Sequence, residues 1–441
     1  MELDYIYSDA KKPNRIIVWD LGRRCNFDCT YCTAWMHSTT SPFNKLDKLK
    51  KTADFIDRYT KIYGKRERIP FQNTISFTGG EPAINPDFFP LVTYMQENYP
   101  NLRLNLTTNG TWSERRGQFL LDNMHSITVS YHCEGSEKYK ELVKRNLVWA
   151  QKNVKSEWQL KVNVMMHMDY WDECIDLIEN VLIPNNIRFI PRTIGDDGRY
   201  RAEWFKDMDG AMRRTSHIYT DKQMAWIKSY WNKKNETVAK SPIKIKPNIQ
   251  KTDTRSIPKN IMSMVTDSPA PMGHNNPPKP VIKINKNAED GHVNKMGRMC
   301  CGGRCMTVKT SDTKEITDAM FIEQSNFKDY NCMINWFFLH IEEDRDAVYQ
   351  HQTCMAKLDG TPDTNLDDSL FGDIIHKFND KKGPFTTISQ GDKYLDWLEA
   401  KFEAGETPTM VCPNTHCGCG ICIAKAKYDH DFVEIKERFV E

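Results

Sequence analysis

Residues 16–32, IIVWDLGRRCNFDCTYC, run from a short apolar stretch into a loop that carries Cys25, Cys29 and Cys32. The apolar run reads as a strand, and the loop after it reads as a metal site. Thiolates at this spacing can converge on one face of an iron–sulfur cube, and three of them leave one iron without a protein ligand. An iron left open can bind a substrate or cofactor. A structural zinc with His37 as the fourth ligand of a closed tetrahedral site is the competing reading of the same residues.

Strand and helix patterns alternate from this loop onward. SPFNKLDKLKKTADFIDRYTKIYG carries Leu46, Leu49, Ala53, Ile56 and Tyr63 at helical spacing, with Gly64 suited to end the helix. NTISFTGG, NLRLNLTTNG, SITVSYH, QLKVNVMMHM and NIRFIPRTIG read as further strands, separated by helical segments such as EKYKELVKRNLVWAQKNV. Strand-then-helix units repeated in this way predict a parallel sheet, and right-handed crossovers curl such a sheet towards a barrel. A full eight-fold barrel needs about 250 residues. The first 194 residues therefore predict an α/β fold with a partial (β/α)6 TIM barrel, its chemistry at the C-terminal strand ends.

C-x3-C-x2-C with Tyr31 before the last cysteine, followed by Thr78-Gly79-Gly80-Glu81-Pro82 at the end of the second strand, resembles the radical S-adenosylmethionine (radical SAM) superfamily. The resemblance implies the same partial barrel and a 4Fe-4S cluster held by Cys25, Cys29 and Cys32. It also implies S-adenosylmethionine chelated at the open iron and its reductive cleavage to a 5′-deoxyadenosyl radical that abstracts hydrogen from a substrate. In that setting Gly79 and Gly80 let backbone approach the methionyl group, Glu81 and nearby carbonyls accept from its ammonium, Pro82 closes the motif, and Tyr31 lies near the adenine. Ser130, Asn163 and Arg192 are the implied ribose or carboxylate contacts; each reads equally well as an ordinary strand-end polar residue. Thr108 and Asn109 read either way too, since Asn-Gly is a turn signal. No residue is assigned as a catalytic acid or base.

Residues 195–295 lose periodicity. A helix at TDKQMAWIKSYW, with Thr220 and Gln223 spaced as a capping box, precedes a basic stretch rich in Pro, Asn and Lys that reads as a linker or lid. Residues 296–441 are cysteine-dense. INWFFLHI and AVYQHQT flank EEDRD as a β-hairpin opened by Cys332 and closed by Cys354, and Cys412, Cys417, Cys419 and Cys422 follow. A hairpin bracketed by cysteines and followed by C-x2-C resembles the α+β twitch domain, the short form of the SPASM extension. It implies at least one auxiliary 4Fe-4S cluster on Cys332, Cys354, Cys419 and Cys422, with Cys412 and Cys417 as alternates. The full SPASM pattern C-x2-C-x5-C-x3-C is not present, which puts a second auxiliary cluster in doubt; zinc near His416 is the competing assignment. Cys300, Cys301 and Cys305 form a further group, and Cys133 and Cys174 read as isolated thiols.

Fourteen cysteines in a chain with no secretion signal are expected to stay reduced for metal or chemistry. With 61 Lys plus Arg against 59 Asp plus Glu, the molecule has no general bias towards polyanions. No apolar run approaches the ~20 residues of a membrane span, so a cytoplasmic protein with neither membrane nor nucleic acid as partner is expected. The leading expectation is an oxidoreductase or maturase that oxidises or cross-links a peptide or protein side chain, with a reductase such as flavodoxin or ferredoxin as electron donor. A radical SAM dehydrogenase or rearrangement enzyme acting on a small sugar or nucleotide is the alternative. From another class comes a zinc-stabilised nucleic-acid-binding protein using the basic stretch.

Overall fold

The computed structural model describes residues 3–7, 14–32, 37–66, 70–194, 204–206, 212–214, 219–223, 225–227, 229–230, 306–310, 331–332, 334–350, 357–358, 360–362, 383–406, 408, 410–411 and 427–428. Strand β1 (Leu3–Tyr7) stands apart from the main sheet. The core then alternates β2 (Asn14–Asp20), α1 (Leu46–Gly64), β3 (Gln72–Thr78), α2 (Phe88–Asn98), β4 (Arg103–Thr108), α3 (Glu114–Asn123), β5 (Ser126–Tyr131), α4 (Glu137–Asn153), β6 (Leu160–Met166), α5 (Trp171–Asp176) and β7 (Phe189–Thr193). α5 continues as one π-helical turn, Leu177–Leu182. Short strands β8 (Trp204–Lys206), β9 (Met212–Arg214), β10 (Met306–Thr310) and β11 (Asn331–Cys332) follow. Helix α6 (Ile334–Phe337) leads into β12 (Phe338–Glu342), β13 (Ala347–Tyr349), α7 (Gly391–Glu403), β14 (Met410–Val411) and β15 (Lys427–Tyr428). The capping box is formed: Thr220 N donates to Gln223 Oε1 at 2.9 Å and Gln223 N to Thr220 Oγ1 at 3.3 Å.

The main sheet has eight strands in the order β13-β12-β2-β3-β4-β5-β6-β7. β2 to β7 are all parallel neighbours in chain order, as the alternation predicts for a partial barrel. A monotonic order with right-handed crossovers sets every connecting helix on one face. That face is apolar: Trp19 pairs with Phe77, Phe77 with Leu106 and Val129 with Val162, all buried against the helices.

The C-terminal hairpin is present as β12 and β13, but it belongs to the core sheet, with β12 parallel to β2 from Phe338↔Ile16 to Glu342↔Asp20. Its expected first strand residues, Ile334–Phe337, form a helical turn instead. The reason is tertiary. Tyr59 Oη donates to Asn335 O at 3.0 Å and Arg15 Nε to Trp336 O at 3.0 Å, tying those carbonyls to α1 and β2 instead of a strand partner. Arg15 is fully buried, its guanidinium 4.9 Å from the Tyr63 ring centre and 5.0 Å from that of Phe71, so its charge is met by π faces as well as hydrogen bonds. Among the described residues no helix is long and apolar enough to cross a membrane.

Candidate active site

The cysteine loop leaves β2 at its C-terminal end and is clamped to the end of β3 by backbone. Leu21 N donates to Thr78 O at 2.9 Å, Gly80 N to Gly22 O at 2.7 Å and Glu81 N to Arg24 O at 2.8 Å. This approach requires the two glycines. A Cβ on Gly79, at φ 120°, would lie 2.5 Å from Gly22 O, and one on Gly80 would lie 2.3 Å from Arg24 O and 2.4 Å from Arg23 O. The glycine motif therefore serves the chain's own loop, whatever else approaches from the other side. The loop's leading edge is held from the opposite side by the turn after β12: Arg23 N donates to Asp344 Oδ2 at 2.8 Å, and Asn44 Nδ2 bridges Leu21 O and Asp344 Oδ1 at 3.0 and 2.6 Å.

Glu81 is buried and turned towards the end of β4. Its carboxylate accepts from Thr108 Oγ1 at 2.7 Å, Ala83 N at 2.9 Å and Asn109 N at 2.5 Å. Burial raises its pKa to about 7, even though those donors pull the other way. Pro82 starts the short 3-10 turn that Glu81 caps. Asn109 completes the bracket, donating through Nδ2 to Asn26 Oδ1 at 2.7 Å inside the cysteine loop.

Cys29 is buried and Cys25 and Cys32 are half-buried, all three as free thiols. Burial pushes Cys25 up to about 11 and Cys32 up to about 12, with Cys29 higher still; Glu81, Glu134 and the neighbouring sulfurs add to it. Thiols so placed need a bound cation to become thiolates. Their sulfurs do not all lie within 4.8 Å of one another, whereas a tetrahedral zinc with Zn–S of about 2.3 Å spaces its ligands about 3.8 Å apart. His37, the fourth ligand of the zinc reading, meets Asp28 Oδ1 through Nε2 at 2.9 Å. The wider spacing and half-open loop fit a cluster better than a single ion. Phe27 N donates to Cys25 Sγ at 3.4 Å, and the Asn26 backbone and the Asn109 side chain also favour its thiolate, the kind of N–H···S contact that tunes cluster ligands.

Tyr31 is buried, and its hydroxyl meets His132 Nδ1. Desolvation lowers His132 to about 4, so the ring is neutral. The Tyr31 ring also lies 6.0 Å from that of His167, whose Nε2 is 3.4 Å from Glu134. Glu134 in turn accepts from Thr30 N at 2.8 Å and Thr30 Oγ1 at 2.5 Å. Tyr31 is thus packed into a His/Glu lining between β5 and β6 that sequence reasoning did not identify.

Ser130 and Asn163 are register partners on β5 and β6, while Arg192 on β7 pairs with Met165, so all three share the sheet face that carries no helices. Parity puts Ser76, Asn105, Thr128 and Lys161 on that face too, all buried. An eight-fold barrel normally fills its interior with branched apolar side chains; this face mixes buried apolar residues such as Ile16, Val18 and Met165 with the polar ones. Asn163 Oδ1 is buried with no hydrogen-bond partner among the described residues, a vacancy suited to a polar ligand.

Two groupings were not legible from spacing. Cys133 and Cys174, read as isolated thiols, are fully buried with Sγ atoms 3.0 Å apart. Asp20, His340 and Glu342 converge across β2 and β12, His340 Nε2 lying 3.3 Å from Asp20 Oδ2 and 3.4 Å from Glu342 Oε1. Burial would lower the His340 pKa, but the two carboxylates outweigh it and hold the ring protonated up to about 9. Of the auxiliary ligand set, Cys332 lies in β11, between β14 and β15. Cys354, Cys412, Cys417, Cys419 and Cys422 lie outside the described residues, as do Cys300, Cys301 and Cys305.

Residues 19–151 match the family described as Radical SAM superfamily. Over 138 residues the chain is 28% identical to GTP 3',8-cyclase of Aquifex aeolicus (strain VF5), which covers 31% of this chain and 41% of that protein. Over 151 residues it is 31% identical to molybdenum cofactor biosynthesis protein 1 of Dictyostelium discoideum, covering 33% of this chain and 22% of that protein. The chain therefore spans less than half the length of these relatives. Streptococcus suis SuiB bound to S-adenosylmethionine aligns with a TM-score of 0.41 at 11% identity, covering 84% of this chain and 66% of that one. With the cysteine loop, the GGEP strand end and the parallel sheet in place, the stretch from Trp19 through most of α4 matches the Radical SAM superfamily, a family that implies S-adenosylmethionine and a 4Fe-4S cluster.

Proposed function

We propose that the chain is a radical SAM enzyme whose chemistry takes place where the cysteine loop meets the polar face of the sheet. The observation that carries this is the set of backbone bonds locking Leu21–Arg24 against Thr78–Glu81, which sets three thiols at the C-terminal strand ends. Cys25, Cys29 and Cys32 would hold the cluster, with Phe27 N and Asn109 donating to Cys25. The bound cluster and S-adenosylmethionine supply hydrogen-atom abstraction at carbon through a 5′-deoxyadenosyl radical. Glu81, with its carboxylate already bonded to β4, acts as a brace for the loop. Gly79, Gly80, Tyr31, Ser130, Asn163 and Arg192 remain the proposed contacts to S-adenosylmethionine, Asn163 through its unpartnered Oδ1.

The proposed reaction is oxidation or cross-linking of a peptide or protein side chain, assisted by an auxiliary cluster on Cys332, Cys354, Cys419 and Cys422, with Cys412 and Cys417 as alternates. The three-part division at residues 194 and 295 belongs to the same proposal, with β12 and β13 assigned to the core sheet. A nucleotide or small sugar is the second reading, favoured by relatives over the core that carry the name GTP 3',8-cyclase.

Anaerobic reconstitution followed by dithionite reduction tests the central claim. The full chain should turn brown and release 5′-deoxyadenosine from S-adenosylmethionine, and a Cys25→Ala, Cys29→Ala, Cys32→Ala variant should lose one cube of iron and all release. Cleavage surviving in that variant would refute the assignment. Iron remaining in it would support the auxiliary cluster, and deuterium transfer into deoxyadenosine from labelled peptides or nucleotides would separate the substrate classes.

A further inference from the structure

We propose that Asp20, His340 and Glu342 form a binding site for one divalent first-row transition-metal ion, separate from the cysteine loop. The three side chains come from adjacent parallel strands. Asp20 and Glu342 are register partners at the last positions of β2 and β12, and His340 lies two residues before Glu342 on the same, helix-free face. One ligand atom from each lies within 4.8 Å of the other two.

The distances suit coordination better than hydrogen bonding. A metal with bonds of about 2.1 Å to imidazole nitrogen and carboxylate oxygen, at tetrahedral angles, spaces its ligand atoms about 3.4 Å apart. His340 Nε2 is 3.3 Å from Asp20 Oδ2 and 3.4 Å from Glu342 Oε1. It closes a well-aligned hydrogen bond to neither, and His340 is only 5% exposed. A buried imidazole nitrogen held by charge between two carboxylate oxygens at these distances is a ligand set that a dication can bridge in place of the imidazole proton.

The surroundings support the ligand roles. Arg345 Nη1 holds the other Glu342 oxygen, Oε2, at 2.9 Å, which fixes the carboxylate as outer-shell partners of metal ligands do. Once binding displaces the imidazole proton, two carboxylates and a neutral imidazole carry two negative charges, matching a dication. Mixed nitrogen and oxygen ligands select manganese, iron or zinc over calcium or magnesium. The Asp20 side chain is 19% exposed against 7% for His340 and 8% for Glu342, so the open side is at Asp20. Three protein ligands leave coordination positions free there, and an oxygen of an anionic substrate, a carboxylate or a phosphate, is the group they would take.

Mn2+ binding to the reconstituted, oxidised full chain tests this, read by loss of the free-ion electron paramagnetic resonance signal and by Zn2+ competition. One Mn2+ per chain should bind and be displaced by Zn2+, and Asp20→Asn and His340→Ala should each weaken binding at least tenfold. Asp20→Asn is isosteric and partly exposed, so it decides the matter even where His340→Ala fails to fold. Absence of bound Mn2+ at millimolar concentration, or unchanged affinity in Asp20→Asn, would overturn the site and leave the trio an ion pair. The readout does not depend on S-adenosylmethionine cleavage, so its failure is distinguishable from failure of the radical assignment.

Discussion

The two faces of the parallel sheet obey different rules. On the helix side, Trp19, Phe77, Leu106 and Val129 are buried hydrocarbon and aromatic surface, where each side chain contributes by leaving water. On the other side, Ser76, Thr128, Lys161 and Asn163 are as deeply buried but polar. Burying polar groups costs free energy unless they are bonded, and of these four only Asn163 has a buried side-chain atom, Oδ1, with no hydrogen-bond partner among the described residues. The helix face holds the fold together; the opposite face is where the proposed chemistry takes place.

Gly80→Ala should break this arrangement most severely. The new methyl would press on backbone carbonyls at 2.3 and 2.4 Å, which cannot rotate away as a side chain could. A loss on the order of 4 kcal/mol is expected, read as a fall in melting temperature together with failure to retain iron. A variant that melts normally and keeps its iron would show that the loop can slide.

Phe77→Ala, on the helix side, should cost about 3–4 kcal/mol while the folded fraction keeps normal deoxyadenosine release per cluster. Loss of activity without loss of stability would blur the distinction between the faces.

His340 gives the polar face a pH signature. Its folded pKa is raised, from 6.5 to about 9, so the stabilisation is fully present below the unfolded value and disappears as pH rises through the folded one. Asp20, Glu342 and Arg345 are the charged groups around it. In chelator-treated protein, denaturation midpoints between pH 6 and 9.5 should reveal a loss on the order of 3 kcal/mol, and His340→Asn should flatten the curve. Parallel curves for the two proteins would remove His340 as the source.

Asn163→Ala should be the mildest change. Its Oδ1 has no partner to lose, so stability should move by less than about 1 kcal/mol while binding of S-adenosylmethionine or substrate weakens severalfold in isothermal titration. Unchanged binding would make Asn163 a bystander.

Much of this was legible in the chain. The alternation that places Phe77 and Ser76 on opposite faces is a period-2 pattern, and the cysteine spacing with GGEP marks the strand ends where the loop docks. Other features depend on three-dimensional neighbours. Nothing local says that Phe338–Glu342 will lie beside Ile16–Asp20, so the meeting of Asp20 with His340 was invisible. Cys133 and Cys174 looked solitary because 41 residues separate them. Glu81 sits in a recognisable motif, yet which way its carboxylate turns was decided by Thr108 and Asn109 on the next strand.

The position of β12 has a consequence for biosynthesis. The strand that delivers the cysteines is bonded on one flank to chain made 321 to 324 residues later, through Arg15 to Trp336 and Trp19 to Glu343. Contacts of such long sequence separation form late. A nascent chain would hold the strand that leads to its first thiols at an unfinished sheet edge until residues 336–343 have been made.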